Sequence, residues 1–394
     1  MTQVNITLDL EQLKDELMET NLGAVTKSAV IVVLNQMMEK ERDEYLKASA
    51  YERSEDRVDM RNGYYERDYT MSLGKMTLKV PRTRQGEFSP SIFEKYERAE
   101  QSLVLAMLEM VINGVSTRKI TKAVEQLCGE SVSSSYVSTL TKRLDPIVQE
   151  WADRPLNVMR FPYLYVDAMY IKVREYQKVV SKAVYVAVAV NEKNRRQIIG
   201  FQVSHVESEE GWTRFFEHLQ KRGFTSPRLI ISDAHTGLKK AIQSTFVGSS
   251  WQRCTVHFKR NLIAKVPKKG AQEFTAVMKD LFLQSCPDRA RRMKNELVAS
   301  YEEQPRFEEA LTVLDEGFED AIQFMSEPNS YHPQLRTTNN VERLNVEIRR
   351  RERIINIFPN TQSAFRLIGA VLKDYDEKLE HLQRPFLRKS SDEK

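Results

Sequence analysis

The sequence lacks any long apolar run, and it contains only three cysteines among 394 residues. No apolar stretch approaches the roughly 20 residues that a membrane-spanning helix needs. The first 17 residues, MTQVNITLDLEQLKDEL, have neither the basic start nor the apolar segment of a secretory signal. Three cysteines cannot build a disulfide framework. Together these absences predict a cytoplasmic protein with no membrane partner.

The composition is that of a folded protein of more than one domain. Hydrophobic residues make up 41% of the chain and charged residues 29%. That apolar content is enough for packed cores and excludes wholesale disorder. A chain of this length usually forms two or more domains.

The net charge of +5 is distributed unevenly along the chain. Residues 251–270 carry six basic and no acidic side chains, whereas residues 271–335 carry six basic and 13 acidic ones, a net charge of −7. Residues 336–394 carry a net charge of +4. A short, wholly basic block indicates a polyanionic partner, with nucleic acid the first candidate. The alternative is a solvated, lysine-rich loop.

The N-terminal part combines helical and hairpin patterns. Residues 8–20 and 25–48 have apolar side chains at helical spacing. Residues 64–80 alternate polar and apolar side chains about a central glycine, which predicts a β-hairpin. The basic loop that follows supplies Arg82 and Arg84 as candidate DNA contacts.

Residues 99–150 have the pattern of three short helices, with the third starting in a serine run. Such an arrangement is typical of a helix-turn-helix, whose last helix reads the DNA major groove. A plain three-helix bundle would give the same spacing. The predicted DNA contacts in and after this third helix are Ser134, Ser135, Tyr136, Lys142 and Arg143.

From residue 161 the pattern changes to strands rich in β-branched and aromatic residues. Three successive strands are followed by a helix, a short apolar strand, another helix and a possible strand at residues 252–256. This order predicts an α/β fold with an antiparallel meander at its start, as in a ribonuclease H-like core. The acidic residues 271–326 read as helical and would interrupt that core.

Two aspartates stand where they are chemically conspicuous. Asp167 lies within an apolar strand, where a buried carboxylate must be paired or bind a cation. Asp233 directly follows an apolar strand, at the edge where α/β sheets bind ligands. Taken alone, each has an ordinary explanation: Asp167 as the partner of an arginine or a turn, and Asp233 as a turn residue.

Glu342 belongs to a later helix with the sequence NNVERLNVEIRRRER. It lies beside an apolar stripe, so its carboxylate could reach back toward the sheet. The ordinary alternative is a capping box, with Asn339 as N-cap and Glu342 as its partner. Glu347 and Glu352 of the same helix compete for any catalytic role.

The three carboxylates together suggest more than each does alone. Carboxylate oxygens are preferred ligands of hard divalent cations, and two bound ions can clamp the attacking and leaving oxygens of a phosphodiester. Two aspartates on neighbouring strands and a glutamate from a packed helix could supply such a site. We therefore expect Asp167, Asp233 and Glu342 to bind two Mg²⁺ or Mn²⁺ ions.

Several segments resemble the Mutator-type transposases of bacterial insertion sequences, over roughly residues 60–372. The segments that carry this resemblance are YVDAMYIKVRE, ISDAHTGLKKAI, WQRCTVHFKRNL, TTNNVERLNVEIRRRERIINIFPN and, upstream, RNGYYERDYTMSLGKMTLKVPRTRQGEFSP. The resemblance implies a DDE transposase whose ribonuclease H-like core contains an α-helical insertion between the second aspartate and the glutamate. Carried over position by position, the catalytic triad is Asp167, Asp233 and Glu342.

The resemblance also implies a cysteine and a histidine spaced C-x-x-H, here Cys254 and His257. Two such ligands are half of a zinc site, and no partner pair follows nearby, so a zinc finger is disfavoured. We expect a structural or substrate-contacting pair near the active site. Phosphate contacts are expected from basic residues around these motifs, unless they only form a solvated helix face paired with Glu347 and Glu352. These basic residues are Lys259, Arg260, Arg343, Arg349, Arg350 and Arg353.

The predicted function is that of a transposase that binds terminal inverted repeats of double-stranded DNA, nicks 3′ ends and transfers strands. The resemblance implies a homodimer and a circular intermediate. Two alternatives stay open: a ribonuclease H-like nuclease or resolvase that cuts without joining, and a catalytically inactive DNA-binding regulator.

The predicted organisation has six parts. They are an N-terminal helical DNA-binding or dimerisation region (1–60), a β-hairpin with a basic loop (61–98), a helix-turn-helix-like domain (99–155), the first part of the core (156–260), a helical insertion (261–335) and the last part of the core with the catalytic glutamate helix and the C-terminal tail (336–394).

Overall fold

The computed structural model divides the chain into two compact units, Met1–Lys142 and Arg143–Lys394. The predicted helix at residues 8–20 lies outside the described residues. Where the structure is described, no helix has both the length and the apolar content to cross a bilayer. The residues described are 22–52, 55–71, 73–93, 101–128, 132–268, 271–382 and 384–387.

The first unit contains a helix, α1 (Leu22–Leu46), and a hairpin of β1 (Arg61–Met71) and β2 (Gly74–Thr83). The strands pair antiparallel up to Met71 and Gly74, so the predicted hairpin is confirmed. Gly74 has φ +103°, a conformation that side chains disfavour, which explains a glycine at this turn. One apolar cluster joins helix and hairpin. Its buried members are Met38, Tyr69, Met76, Leu78, Val80 and Phe93.

Three further helices of the first unit pack on one another: α2 (Gln101–Ile112), α3 (Thr117–Cys128) and α4 (Ser134–Leu140). The serine run starts the third helix as predicted, because the Ser133 hydroxyl accepts the Tyr136 backbone N–H at its N-terminus. A helix-turn-helix remains an interpretation of this trio.

The second unit is built around a five-stranded mixed sheet. The strands are β3 (Tyr163–Glu175), β4 (Lys178–Val190), β5 (Arg196–Ser204), β6 (Leu229–Ser232) and β7 (Ser250–Arg253). Their order in the sheet is β5-β4-β3-β6-β7, in which β3, β4 and β5 form an antiparallel meander and β6 and β7 run parallel to β3. The predicted mixed α/β fold with its meander is thus confirmed.

Helices cover both faces of this sheet, which explains why its central strands are mostly apolar. On one face, aromatic side chains such as Trp212, Phe215 and Phe216 form a continuous core with the strands. Burying each large apolar side chain contributes roughly 1.5–3 kcal/mol. The helices outside the later helical segment are α5 (Leu144–Asp153), α6 (Glu209–Lys221), α7 (Thr236–Thr245), α8 (Thr255–Ile263), α13 (Asn339–Ile355) and α14 (Thr361–Glu380).

The acidic segment between α8 and α13 is helical, as the sequence predicts. Its own cations pair with its own acids: Arg291 with Glu319, and Lys294 with Asp315. The helices of this segment are α9 (Ala271–Leu281), α10 (Pro287–Tyr301), α11 (Glu308–Ala321) and α12 (His332–Leu335).

One predicted strand is partly wrong. The pattern at residues 252–256 predicts a strand, but β7 ends at Arg253 and α8 begins at Thr255. Cys254 makes the bend, since its N–H still donates to Ser232 of β6, at 2.7 Å, while Thr255 donates to the Arg336 carbonyl. This early helix start sets the direction in which His257 projects.

Candidate active site

Three separate elements of the second unit bring the predicted carboxylates together. Tyr165 of β3 pairs with Ile231 of β6 in parallel register, and Asp167 and Asp233 each lie two residues further on. The two aspartates therefore project from neighbouring strands at the same level. Glu342 lies in the first turn of α13, which packs against β3. The fold thus brings together three side chains that are 66 and 109 positions apart in the sequence.

His257 of α8 joins two of these carboxylates. Its Nδ1 lies 3.6 Å from Asp233 Oδ2, and its Nε2 lies 3.2 Å from Glu342 Oε1. A hydrogen bond with the Cys254 sulfur raises the pKa of His257 to about 9; burial opposes this shift, and the charges of Cys254, Asp233 and Glu342 reinforce it. The imidazole is therefore a cation at neutral pH, placed between two acids.

Cys254 lies behind this histidine and is fully buried. Burial raises the pKa of its thiol, but hydrogen bonds with His257 and Thr338 outweigh burial, so the pKa of Cys254 lies below its usual value. The Thr338 N–H and hydroxyl approach the sulfur at 3.5 and 3.4 Å. Because Thr338 immediately precedes α13, Cys254 connects α8 to the helix that carries Glu342.

Asp167 is held in one orientation by two donors. Its Oδ2 accepts the Asn345 side-chain N–H at 2.8 Å, and its Oδ1 accepts the Ala168 backbone N–H at 2.9 Å. Burial raises the pKa of Asp167 to about 6; Ala168 and His257 oppose this shift, whereas Asp233 and Glu342 add to it. The site thus favours a cation that could take over part of this charge.

Asn345 was missed by reasoning from the sequence alone. It lies one turn after Glu342 on α13, a spacing that puts two side chains on the same helix face. That spacing is a usable signal, although a neutral amide in a charged helix carries no mark of function by itself. The structure gives Asn345 the task of orienting Asp167.

Several polar atoms at this site are buried without a hydrogen-bond partner. They are Asn345 Oδ1 and two atoms whose contacts are the ion pairs above, Glu342 Oε1 and His257 Nδ1. An unsatisfied buried polar atom costs roughly 1–3 kcal/mol, so a cluster of them is retained only for a reason. The arrangement is that of a site prepared for a charged or polar ligand.

The donor set suits a hard divalent cation in kind, because it consists of carboxylate oxygens. As the side chains stand in the described residues, no three His, Cys, Asp or Glu groups are close enough to hold a metal ion. The His257 imidazole lies between Asp233 and Glu342 instead. Metal binding thus requires these carboxylates to exchange that partner.

The structure contradicts the capping-box explanation for Glu342 and gives other partners to the two competing glutamates. The N-cap of α13 is Thr338, which makes no side-chain capping bond, and Asn339 is already helical, so the capping box is wrong. The competing acids of the helix have other partners. Glu347 pairs with Arg350 and Arg351, and Glu352 pairs with Arg349.

The predicted phosphate contacts on α13 fall into two groups. Arg349 and Arg350 form ion pairs at 3.6 and 3.3 Å with glutamates of the same helix, as expected for a solvated helix face. Arg343 and Arg353 are exposed. On α8, Arg260 is exposed, and burial together with the cations Arg336 and Lys279 lowers the pKa of Lys259.

In the first unit, Arg82 and Arg84 are exposed at the end of β2 and just after it. The Arg82 guanidinium stacks 4.5 Å from the centre of the Tyr65 ring. Ser135 is exposed, Ser134 and Tyr136 are half-buried, and all three begin α4. Lys142 and Arg143 are exposed in the following turn of 3₁₀ helix, where the two units meet in sequence.

Comparison with known families gives a clear result. The profile described as "Transposase, Mutator family" matches residues 1–381. The chain belongs to this family of transposases.

Individual relatives span nearly the whole chain. The transposase for insertion sequence element IS256 in transposon Tn4001 of Staphylococcus aureus is 48% identical over 387 residues, covering 98% of this chain and 99% of the relative. The transposase for insertion sequence element ISRM5 of Rhizobium meliloti is 37% identical and covers 89% of this chain and 87% of its own. The transposase for element IS1081 of Mycobacterium tuberculosis is 34% identical, with coverages of 95% and 90%.

Proposed function

We propose that this chain is a DDE transposase that nicks the 3′ ends of its element and joins them to new DNA. The observation that carries the proposal is the convergence of Asp167, Asp233 and Glu342 from three elements. These acids lie together with buried polar atoms that lack partners. A structural cluster of acids is ordinarily neutralised by arginines or lysines, whereas the ion-pair partner of both Asp233 and Glu342 within the described residues is His257.

The sheet order and the antiparallel meander support a ribonuclease H-like core. In that interpretation, α8 and the acidic helices are inserted between β7 and the glutamate helix α13. The insertion lengthens the chain between the second and third acids without changing the sheet that aligns the first two.

The three carboxylates would hold two Mg²⁺ or Mn²⁺ ions. When bound, such ions lower the pKa of water or of a 3′-hydroxyl and offset charge on the phosphate in the transition state. Asn345 and the Ala168 N–H keep Asp167 in one orientation. His257 balances the charge of Asp233 and Glu342 until they bind their ligand. None of these side chains is assigned the role of a covalent nucleophile.

DNA is proposed to bind along the basic parts of the second unit and along the first unit. Exposed Arg343, Arg353 and Arg260 are the best-supported phosphate contacts near the triad, because each is exposed and follows a motif residue. Phosphate contacts of this kind position the duplex without reading its sequence. Inverted-repeat recognition is assigned to α4 and the β1–β2 hairpin with Arg82 and Arg84.

The acidic helical segment is proposed to contact DNA less than the core does. Its net charge is −7, and two of its six cations, Arg291 and Lys294, already pair with its own carboxylates. Extra phosphates would be repelled there unless individual exposed cations reach them. A homodimer on the two element ends and a circular DNA intermediate complete the proposal, and both rest on the family.

The test is a strand-transfer reaction with purified protein, Mg²⁺ and a labelled duplex that carries the element's terminal repeat. We expect nicking at the 3′ end, followed by joined products that run as larger molecules on a denaturing gel. Nicked ends that are never joined would favour a nuclease or resolvase and sink the transposase mechanism.

The matched variant is Glu342→Gln, which keeps size and hydrogen bonding but removes the charge. It should bind the terminal repeat with unchanged affinity and neither nick nor join. If the variant nicks and joins like the parent protein, Glu342 is not catalytic. If the parent protein binds the repeat and never nicks it, the chain acts as a DNA-binding regulator. Light scattering of the DNA complex tests the dimer separately.

A further inference from the structure

The last described residues of the chain bind the turn between β4 and β5. We call residues 384–387 the C-terminal strap. Leu387 exchanges two hydrogen bonds with the Asn194 side chain, each 2.7 Å, and the Phe386 N–H donates to the Asn194 carbonyl at 3.0 Å. Leu387 is 2% exposed. Arg195 donates to the Arg384 carbonyl at 3.2 Å. The strap is thus fixed by both backbone and side-chain bonds.

The strap presents one aromatic ring to a half-buried cation. The Arg196 guanidinium lies 4.4 Å from the centre of the Phe386 ring, and the Tyr165 ring meets Phe386 edge-on at 6.2 Å. Among the described residues, no carboxylate is an ion-pair partner of Arg196 or a cause of the shift in its pKa. Its charge therefore depends on the ring face and on neutral acceptors.

The same guanidinium reaches the helix that carries the proposed catalytic glutamate. Its guanidinium donates to Asn340 Oδ1 at 2.9 Å. Asn340 lies in the first turn of α13, two residues before Glu342. This turn lacks a side-chain cap on Thr338. A cation at a helix N-terminus is electrostatically unfavourable, so its position there requires a compensating role.

We propose that Arg196, held by the C-terminal strap, is a positioning residue that fixes the first turn of α13 and thereby aims Glu342 at the site. The proposal rests on the catalytic role proposed above for Glu342. The order of contacts is Phe386 to Arg196, Arg196 to Asn340, and Asn340 to the turn that contains Glu342. It gives the C-terminal strap a direct influence on the active site.

Hydrogen exchange of the full-length protein tests this positioning without any reaction. Phe386→Ala should speed exchange about tenfold in peptides that span residues 338–346, because the first turn of α13 then opens more often. Peptides from the centre of β4 should be unchanged. Phe386→Tyr keeps the ring face and should behave as the parent. Leu382→Ala, on an exposed side chain of the same region, is the matched control.

Asn340→Ala separates positioning from folding, because it breaks the link to Arg196 and leaves the strap intact. It should reproduce the exchange change of Phe386→Ala. Unchanged exchange at residues 338–346 in both variants would overturn the proposal. If Phe386→Ala also speeds exchange across β4, that variant has lost overall stability, and the result for Asn340→Ala alone then supports or overturns the proposal.

The consequence for Glu342 is measured by Mn²⁺ binding, using electron paramagnetic resonance, and by the Mg²⁺ dependence of nicking. Both variants should weaken Mn²⁺ binding and raise the half-maximal Mg²⁺ concentration by roughly 10-fold, the low end of what outer-shell partners contribute. Faster exchange with unchanged metal binding would overturn the link to Glu342. Failure of the proposed function would give a different result, because Glu342→Gln would then nick DNA as fast as the parent protein.

Discussion

Two polar clusters of the second unit, one around Asp167 and one around Asp376, each contain a half-buried aspartate and differ in how its charge is met. Burial raises the pKa of both Asp167 and Asp376. Asp376 accepts three hydrogen bonds, from the Ile198 N–H at 2.6 Å, Arg154 at 2.8 Å and the Trp151 indole at 3.1 Å. It joins α14 to β5 and α5, so every contact serves the packing of the sheet.

The acids of the candidate site have fewer ion-pair and hydrogen-bond partners. Within the described residues, the ion pairs of Asp233 and Glu342 both go to His257. The Glu342 oxygen nearest His257, Oε1, makes no hydrogen bond beyond this ion pair. Burial by itself therefore does not mark a functional carboxylate in this protein. What distinguishes the candidate site is that two of its acids share a single histidine as their ion-pair partner.

The largest expected effect is on activity. Asp233→Asn should reduce nicking by at least about a thousandfold, the scale of removing one member of a catalytic unit. Circular dichroism should show an intact fold, because the amide still offers an oxygen to the Ala234 N–H. Asp288→Asn, on an exposed acid of α10, is the control. Equal activity of parent and Asp233→Asn would erase the distinction between the two clusters.

The paired cluster should behave in the opposite way. Asp376→Ala leaves Arg154 without its partner and should lower the free energy of unfolding by about 2–3 kcal/mol. The midpoint of thermal unfolding should fall by roughly 5–10 °C. Nicking well below that temperature should stay close to that of the parent protein. A stable but inactive Asp376→Ala would show that this cluster also serves catalysis.

A smaller effect is expected at Asn345, which orients Asp167. Asn345→Ala should lower the rate of nicking by roughly 10- to 100-fold, as for other groups that orient metal ligands. Val346→Ala, at the neighbouring exposed position of α13, should have no effect. An Asn345→Ala rate equal to that of the parent would mean that the Ala168 N–H alone holds Asp167.

The smallest effect is thermal. Adding Mg²⁺ at tenfold its dissociation constant should stabilise the parent protein by about 1.4 kcal/mol. The unfolding midpoint should rise by roughly 3–6 °C, and EDTA should reverse the shift. Glu342→Gln should show little of it, whereas Asp376→Asn should retain it. The same ionic strength supplied as NaCl controls for screening of surface charges.

Sequence reasoning succeeded where the signal was local. The alternation of apolar residues in β3 to β5 predicts the meander, and the short apolar run at residues 229–231 predicts β6. It failed where a distant contact decided the outcome. Thr255 starts a helix because its N–H and hydroxyl meet the Arg336 carbonyl, 81 residues away. No pattern around residues 252–256 carries that information.

The same limit applies within the site. The sequence points to three acids, a cysteine and a histidine, but not to their partners. Asn345 resembles any polar helix residue until its amide is seen 2.8 Å from Asp167. Arg349 and Arg350 look like phosphate contacts until each is found beside a glutamate. Their role on DNA stays a prediction.

The sequence by itself determined the family, the mixed α/β architecture and the identity of the candidate acids, because those follow from residue type, period and motif. Only the tertiary structure decided which acids remain under-satisfied, that His257 lies between two of them, and that the C-terminal strap reaches α13 through Arg196. Those features depend on contacts between residues far apart in the chain. Such contacts arise from the packing of whole elements and leave no local trace.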